Sequence, residues 1–498
     1  MSLNNLPVEI LQLIFQYLPV RELRVLSQVC RKWAITAFSG PCLQNVELYI
    51  NTFNCGESLQ ELENSQRRYR NLRVDFDRTS DQHLLRCLLK MLPRFSESLV
   101  SLTIDWCVHD SPLDLHVLLA LLRKTPVLKE LRVFDNGKCG SELTTLSEMP
   151  VLHQLEDVAL PIGVMDTVEF DLAKLAPNVK RVELEFSGKH PWEAIRSLNG
   201  KLRTLNIRTV TKNNFRQLWA LEPDKLQELC LVRRGCNLSP NDVTVPYAMH
   251  FFPKCSKLTA LRLELNVPLP VLQVIARCCP HLKALLVFGH DNGWQVLKIL
   301  QHISKLESLT ISETTFDYYR KSEDICLPGL KNLELDTPDL TDADQFFILL
   351  DSIMPQLTAL QLSHYSKIDE DYFVCLQALF ESKLRKLEKL LLFEECTYFP
   401  SHLLSQLNLL PNLKELRMVY RTLKPWRRSA TIPGIRLFAV NVPLSDFQLR
   451  GLLKLFPSLT TLELLVHNES PRFLEELSRV MPRCDVVIRT IPLIERWI

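Results

Sequence analysis

The sequence predicts an α/β protein in two parts: a short all-helical module over residues 1–40, then a solenoid of stacked strand–helix repeats over residues 41–498. Three observations predict it. The opening segment carries more apolar surface than so few residues can bury, a six-residue leucine pattern returns at a steady interval from about residue 95, and amphipathic stretches lie between its copies.

In the opening segment, helical spacing puts Ile10, Ile14 and Tyr17 on one face and Leu11, Phe15 and Leu18 on the adjoining one, with Leu13 widening the apolar sector. Pro7 fits a first helical position, Glu9 lies where the helix dipole favours an anion, and Pro19 stops the helix. A segment of about 40 residues is marginal without disulfides, metals or a partner, so the surplus face is expected to belong to another protein. The alternative is a helical cap that merely covers the end of the repeats. Arg21, Arg24, Arg31 and Lys32 against Glu9 and Glu22 leave a small positive balance, which mildly suits an acidic partner.

The order of residues here resembles the F-box, the three-helix module through which F-box proteins bind the Skp adaptor of cullin-based ubiquitin ligases. The resemblance is carried by Leu6-Pro7 with Glu9, by Ile10, Ile14 and Leu18-Pro19, by Leu23 and Leu26, and by the ending Val29-Cys30-Arg31-Lys32-Trp33. It implies adaptor binding by Leu6, Pro7, Glu9, Ile10, Ile14, Leu18, Leu23, Leu26, Val29, Cys30 and Trp33. Through the adaptor it implies cullin and RING subunits as further partners.

The repeated pattern is Leu-x-x-Leu-x-Leu/Ile/Val. Fifteen copies run from Leu99-Leu102-Ile104 to Leu459-Leu462-Leu464, about 26 residues apart, within the range of leucine-rich repeats. Leu43-Val46-Leu48 and Tyr69-Leu72-Val74 fit the same template, giving about 17 repeats that begin almost directly after the helical module. Between them, Leu84, Leu85, Leu88, Leu89 and Leu92 form an amphipathic helix, as do Phe346, Phe347, Leu350 and Ile353 behind a Thr341-x-x-Asp344 capping pattern. No repeat can bury its leucines alone, so stacking is expected to give a curved parallel sheet on the concave face and helices on the convex face. The fragment Cys279-Pro280-His281-Leu282 resembles the junction of cysteine-containing leucine-rich repeats. Wider spacings at 233–257, 312–329 and 420–434 are read as loops, and Val486, Ile488, Ile491, Leu493, Ile494 and Trp497 as a C-terminal cap near 484–498.

Composition excludes several classes of function. Hydrophobic residues make up 46% and charged residues 23%, and only 13 glycines argue against glycine-rich phosphate loops. A formal charge of +2 gives no sign of a nucleic-acid partner. Fifteen cysteines without regular spacing read as free thiols of a reducing compartment, and no apolar run is long enough for a membrane span; the expectation is a cytoplasmic or nuclear protein that does not engage a membrane. No Walker loop, His-Glu-x-x-His, Cys-x-x-Cys or Gly-x-Ser-x-Gly is present, and the Cys278-Cys279 pair is read as core, so no catalytic residue, metal or cofactor is expected. The cluster Arg67, Arg68, Arg70, Arg73 and Arg78 is read as a solvated face among carboxylates. The stretch 421–428, with Trp426 between cations, is a contact candidate.

Residues between the buried leucines alternate outward along each strand, and a target is expected there. Phe134, Arg262, Glu264, Phe288, Leu391 and Phe393 are the candidates, together with Trp426. The functional expectation is a noncatalytic substrate receptor of a Skp–cullin–F-box ubiquitin ligase, with a target protein on the repeats. An interaction scaffold of the same architecture without a role in ubiquitin transfer is the alternative.

Overall fold

The computed structural model describes residues 3–51 apart from 19 and 45, and then 67–76, 81–106, 115–135, 149–161, 171–185, 195, 197–208, 218, 221–232, 245–316, 325–336, 339–340, 343–364, 370–381, 384–394, 405–419, 431–440, 446–465, 479, 481 and 484–489. The chain forms two compact units, Met1–Asn237 and Leu238–Ile498.

The first unit opens with three short helices, α1 (Val8–Phe15), α2 (Val20–Leu26) and α3 (Arg31–Ala37). Pro7 is the N-cap of α1 rather than its first residue, and its carbonyl accepts the Leu11 N–H at 3.1 Å. Glu9 stands in the first turn, as the dipole favours. Among the described residues, eight parallel strands follow: β1 (Glu47–Asn51), β2 (Asn71–Phe76), β3 (Ser101–Trp106), β4 (Glu130–Asp135), β5 (Asp157–Leu160), β6 (Arg181–Glu185), β7 (Thr204–Arg208) and β8 (Glu228–Val232). Helices α4 (Asp81–Phe95), α5 (Leu115–Leu122) and α6 (Leu172–Leu175) lie between them in sequence.

Strand register repeats the leucine pattern. Leu72, Leu102, Leu131, Val158, Val182, Leu205 and Leu229 are partners across successive strands, so the second leucine of each motif stacks on its counterpart. All are buried, as the one-face burial of a period-2 strand requires. This is the leucine-rich-repeat solenoid that the periodicity predicts.

The second unit repeats the scheme with ten parallel strands among its described residues, β9 (Ala260–Asn266), β10 (Ala284–Phe288), β11 (Ser308–Ser312), β13 (Asn332–Asp336), β15 (Ala359–His364), β16 (Lys389–Glu394), β17 (Glu415–Val419), β18 (Leu437–Val440), β19 (Thr461–Leu465) and β20 (Asp485–Arg489). A small parallel pair, β12 (Thr315–Phe316) with β14 (Asp339–Leu340), stands apart from that sheet. Its helices include α7 (Val245–Phe251), α8 (Leu269–Cys278), α9 (Gly293–Leu300), α10 (Ala343–Ile353), α11 (Glu370–Glu381) and α12 (Asp446–Leu455). Phe316 of β12 packs among Trp294 and Phe346 at ring distances of 5.5 and 4.8 Å, which joins the small pair to α9 and α10.

Two stretches expected as loops are partly regular. Within 233–257, α7 and the turn Phe252–Lys254 bury Ala248, Phe251 and Phe252, whose i, i+3, i+4 spacing makes one helical face. Within 312–329, β12 is a strand. Of the predicted C-terminal cap, 485–489 is the strand β20 beside β19, while Ile491, Leu493, Ile494 and Trp497 lie outside the described residues. Thr341 of the capping pattern also lies outside them.

Candidate functional site

The helical module divides its apolar residues into two sets. Leu11, Phe15, Leu23, Trp33, Ala37 and Cys42 form a closed core, with Phe15 and Trp33 rings edge-to-face at 5.4 Å. Leu6, Leu18, Leu26 and Cys30 are partly buried against it. Lys32 donates from Nζ to the Leu6 carbonyl at 2.6 Å, tying the chain start to α3. Gln12 donates to Ser39 Oγ at 3.2 Å.

The second set faces outward. Ile10, Leu13, Ile14 and Tyr17 of α1 and the turn after it are exposed, Tyr17 by 82%, and Val25, Val29 and Ile35 are exposed by more than half. Isolated exposed apolar residues are ordinary, but a succession of them on three short helices with a six-residue core is the pattern of an interaction face. Of the residues that sequence assigned to binding, Pro7, Glu9, Ile10, Ile14 and Val29 lie on the surface, and Leu6, Leu18, Leu26 and Cys30 at its margin. Leu23 and Trp33 are interior, so they hold the helices in place and do not themselves present a contact surface. Leu13, Tyr17, Val25 and Ile35 are exposed without having been singled out for binding; their signal was the apolar sector too wide for the core.

Residues 3–43 match the F-box-like family model. No curated protein matches this sequence. Among solved structures, the chain is similar to the crystal structure of the TLR13–ssRNA13 complex, with 15% identity and a TM-score of 0.39. That similarity covers 82% of this chain and 60% of the other, so the chain spans less than two thirds of that protein's length. The F-box-like module thus precedes the leucine-rich-repeat array in this sequence.

The outward sheet face behind the F-box-like module is polar and internally paired. In the first unit, Arg73 donates to Asp105 at 2.7 Å, Arg132 to Glu130 at 2.6 Å, and Arg208 reaches Glu183 at 2.6 Å. Phe134 is exposed beside them, as its strand position predicts. In the second unit, Arg262 pairs with Glu264 on its own strand, and Thr310 donates to Glu334 at 3.0 Å. Phe288, Leu391 and Phe393 are half-buried on this face. Asp336, at an outward strand position, is nevertheless buried and accepts from Ser312 Oγ at 3.1 Å. Trp426 and the stretch 421–428 lie outside the described residues.

Among the described residues there is no group of three or more His, Cys, Asp and Glu side chains placed to hold a metal ion. The Cys278–Cys279 pair splits: Cys279 is buried, and burial pushes its thiol up to about 12, while Cys278 is half-exposed. Cys255 is buried nearby and its thiol is likewise raised by burial, so both act as apolar side chains at neutral pH. Among the described residues no helix is long and apolar enough to cross a membrane.

Proposed function

We propose that this protein is an F-box and leucine-rich-repeat substrate receptor of a Skp–cullin–F-box ubiquitin ligase. The observation that carries the reading is the outward apolar face of the F-box-like module, Ile10, Leu13, Ile14 and Tyr17 with Val25 and Val29, which neither the module's core nor its hydrogen bonds use. The Skp adaptor covers this face, with Pro7 and Glu9 beside it and with Leu6, Leu18, Leu26 and Cys30 at its margin, while Leu23 and Trp33 hold the helices underneath. The adaptor in turn brings the cullin scaffold and the RING subunit.

The solenoid, residues 41–498 with about 17 repeats, holds the target protein. Phe134, Phe288, Leu391 and Phe393 supply apolar contact on the sheet face, Arg262 and Glu264 a paired polar contact, and Trp426 a further aromatic contact. The receptor is noncatalytic and works in the cytoplasm or nucleus. Its contribution to rate is to keep a target lysine near the activated ubiquitin, raising effective concentration.

Coexpression with the Skp adaptor tests the reading. The full chain is expected to co-elute with the adaptor on size-exclusion chromatography, and a chain lacking residues 1–40 is expected to elute alone. A folded full chain that leaves the adaptor free would refute it.

A further inference from the structure

The edge of the first unit where its strands begin carries an ordered row of side chains that the sheet face does not share. The residue just before each of β2 to β8 is Arg70, Val100, Lys129, Glu156, Lys180, Arg203 and Gln227 in turn. Backbone hydrogen bonds continue through these residues beyond the strands. Val100 N–H donates to Arg70 O at 2.7 Å, Lys129 to Val100 at 2.8 Å, Glu156 to Lys129 at 2.9 Å, Lys180 to Glu156 at 2.8 Å, Arg203 to Lys180 at 2.7 Å and Gln227 to Arg203 at 2.7 Å. The row therefore has the strand spacing of about 4.8 Å built into its backbone.

Four cations stand in that row against one carboxylate. Lys180 pairs with Glu156 at 2.7 Å, whereas Arg70, Lys129 and Arg203 have no ion pair among the described residues. Two shallow clefts open along the row. One, of about 460 Å³, is lined by Lys180, Arg203 and Glu156 together with Lys201, Lys225 and His153. The other, of about 530 Å³, is lined by Arg68, Arg70 and Lys129 against Glu97. The floor of the first is braced, since Asn178 donates to the His153 carbonyl at 2.9 Å and Lys201 to the Pro177 carbonyl at 3.0 Å. The local field is positive: the hydrogen bond from Lys180, with Lys129 and Arg203 nearby, holds the exposed Glu156 carboxyl below its ordinary value.

Two comparisons separate this ledge from other charged surface. On the sheet face of the same unit, Arg73, Arg132 and Arg208 each already hold a carboxylate. At the matching edge of the second unit the row reads Thr259, Lys283, Glu307, Lys331, Thr358, Glu388, Lys414, Arg436, Thr460, and three of its four cations lie within 4.0 Å of Glu307 or Glu388. Among the described residues, three of the four cations on the first unit's ledge have no such partner.

We propose that this ledge binds an acidic peptide segment, whose carboxylate or phosphate groups sit between Lys129, Lys180 and Arg203. The chemistry favours a peptide over a nucleic acid. Glu156 interrupts the row and Glu97 lines the second cleft, which suits discrete anionic side chains and repels a continuous phosphate backbone. No Phe, Tyr or Trp lines either cleft, and His153 is the one aromatic ring among the lining residues, too few for the successive stacking platforms of a single strand. Val100, Val127 and Pro177 give apolar footing for neighbouring peptide side chains. The proposal deepens the receptor reading, and rests on it for the source of the peptide, which is the target protein.

The test is fluorescence anisotropy on the full chain, with three labelled probes: a short Glu/Asp-rich peptide, the same peptide carrying phosphoserine, and a single-stranded DNA oligonucleotide. The wild-type chain is expected to bind a peptide probe in a salt-sensitive way, and Lys129→Glu with Arg203→Glu is expected to weaken that binding by about tenfold or more. Lys331→Glu in the second unit should leave it within about twofold, because its partner Glu307 already neutralises it. Tighter binding of the phosphoserine peptide would assign a modified segment, and equal binding a carboxylate one. No peptide binding, no loss in the double variant, or preference for the oligonucleotide would overturn the proposal. Adaptor capture by the wild-type chain, measured alongside, keeps the two readings apart: its failure would remove the receptor reading while leaving the peptide measurement standing.

Discussion

The F-box-like module and the repeat sheets use the same apolar residues to opposite ends. The strands of the array seal the leucines of their motif between neighbours, so that Leu131, Leu205, Leu309 and Leu390 are all buried and only scattered apolar residues such as Phe134 reach the surface. The module seals six residues and leaves Ile10, Leu13, Ile14 and Tyr17 on its surface. A stacked repeat finds its partner in the next repeat, whereas the three-helix module leaves part of its apolar surface uncovered among the described residues. The same kind of substitution should therefore register as lost stability in one region and as lost binding in the other.

The sharpest way to break this contrast is in the cores. Leu309→Ala in the array and Leu23→Ala in the module should each cost about 3–5 kcal/mol, since both side chains are at most 1% exposed and leave a cavity. The consequences differ. Chemical denaturation followed by circular dichroism should show the array weakened with adaptor capture retained for Leu309→Ala, while Leu23→Ala should abolish capture by unfolding the module. Capture surviving Leu23→Ala would mean that the surface does not depend on the helix arrangement.

Next in size is a pH effect confined to the second unit. His290 is buried, its Nε2 has no hydrogen-bond partner among the described residues, and burial pushes its pKa down from 6.5 to about 4, with Asp291 opposing slightly. A lowered histidine pKa leaves stability intact above pH 6.5, where both states are neutral. Between 6.5 and about 4 the unfolded chain takes a proton that the folded chain refuses, and stability falls by up to about 3 kcal/mol. His290→Phe should flatten that slope in denaturation curves taken across this range. An unchanged slope would place the acid sensitivity elsewhere.

Smaller again is the module surface. Ile14→Ala removes about half of an exposed side chain's apolar area from a buried interface, worth roughly 1.5 kcal/mol or about tenfold in adaptor affinity, with thermal stability unmoved. Isothermal titration with purified adaptor reads the first quantity and calorimetry the second. Leu6→Ala is a poorer probe, because Leu6 packs on the core and its carbonyl accepts from Lys32.

Most of the architecture was legible because one constraint governs it. A strand buried on one face must repeat apolar residues with period 2, and the spacing Leu-x-x-Leu-x-Leu therefore marked the strands of the large sheets from β2 to β19, leaving out the small pair β12 and β14; at β1 the copy Leu43-Val46-Leu48 is two residues out of register, since Leu48 and Ile50 are the partners of Leu72 and Val74. What was illegible depended on a third dimension. Leu23 and Trp33 match the same pattern as Ile10 and Ile14, and only packing sends them inward. Asp336 sits at an outward strand position and is nevertheless covered. Phe251 and Phe252 fall in a widened spacing that reads as a loop but holds a helix. The ledge had a signal that passed unused: in Leu128-Lys129, Val179-Lys180 and Leu202-Arg203 a cation follows the first apolar residue of the motif.

The smallest expected effect bears on that ledge. Lys414 and Glu388 lie 2.8 Å apart at the strand-start edge of the second unit, with 46% and 42% of their side chains exposed. Water screens such a pair, and holding two long side chains together opposes it, so Lys414→Ala should shift unfolding by no more than about 0.5 kcal/mol. Lys129→Ala, at the matching place in the first unit and without an ion pair among the described residues, should shift it no more. If urea denaturation shows both to be near-neutral, the cations along either edge contribute little to folding. The unpaired charge of the first unit would then be free of any structural duty, which is the condition for a ligand to be what it serves. A loss beyond about 1 kcal/mol for Lys129→Ala would instead make the row part of repeat stacking, because an exposed cation without a partner has no other route to so large an effect.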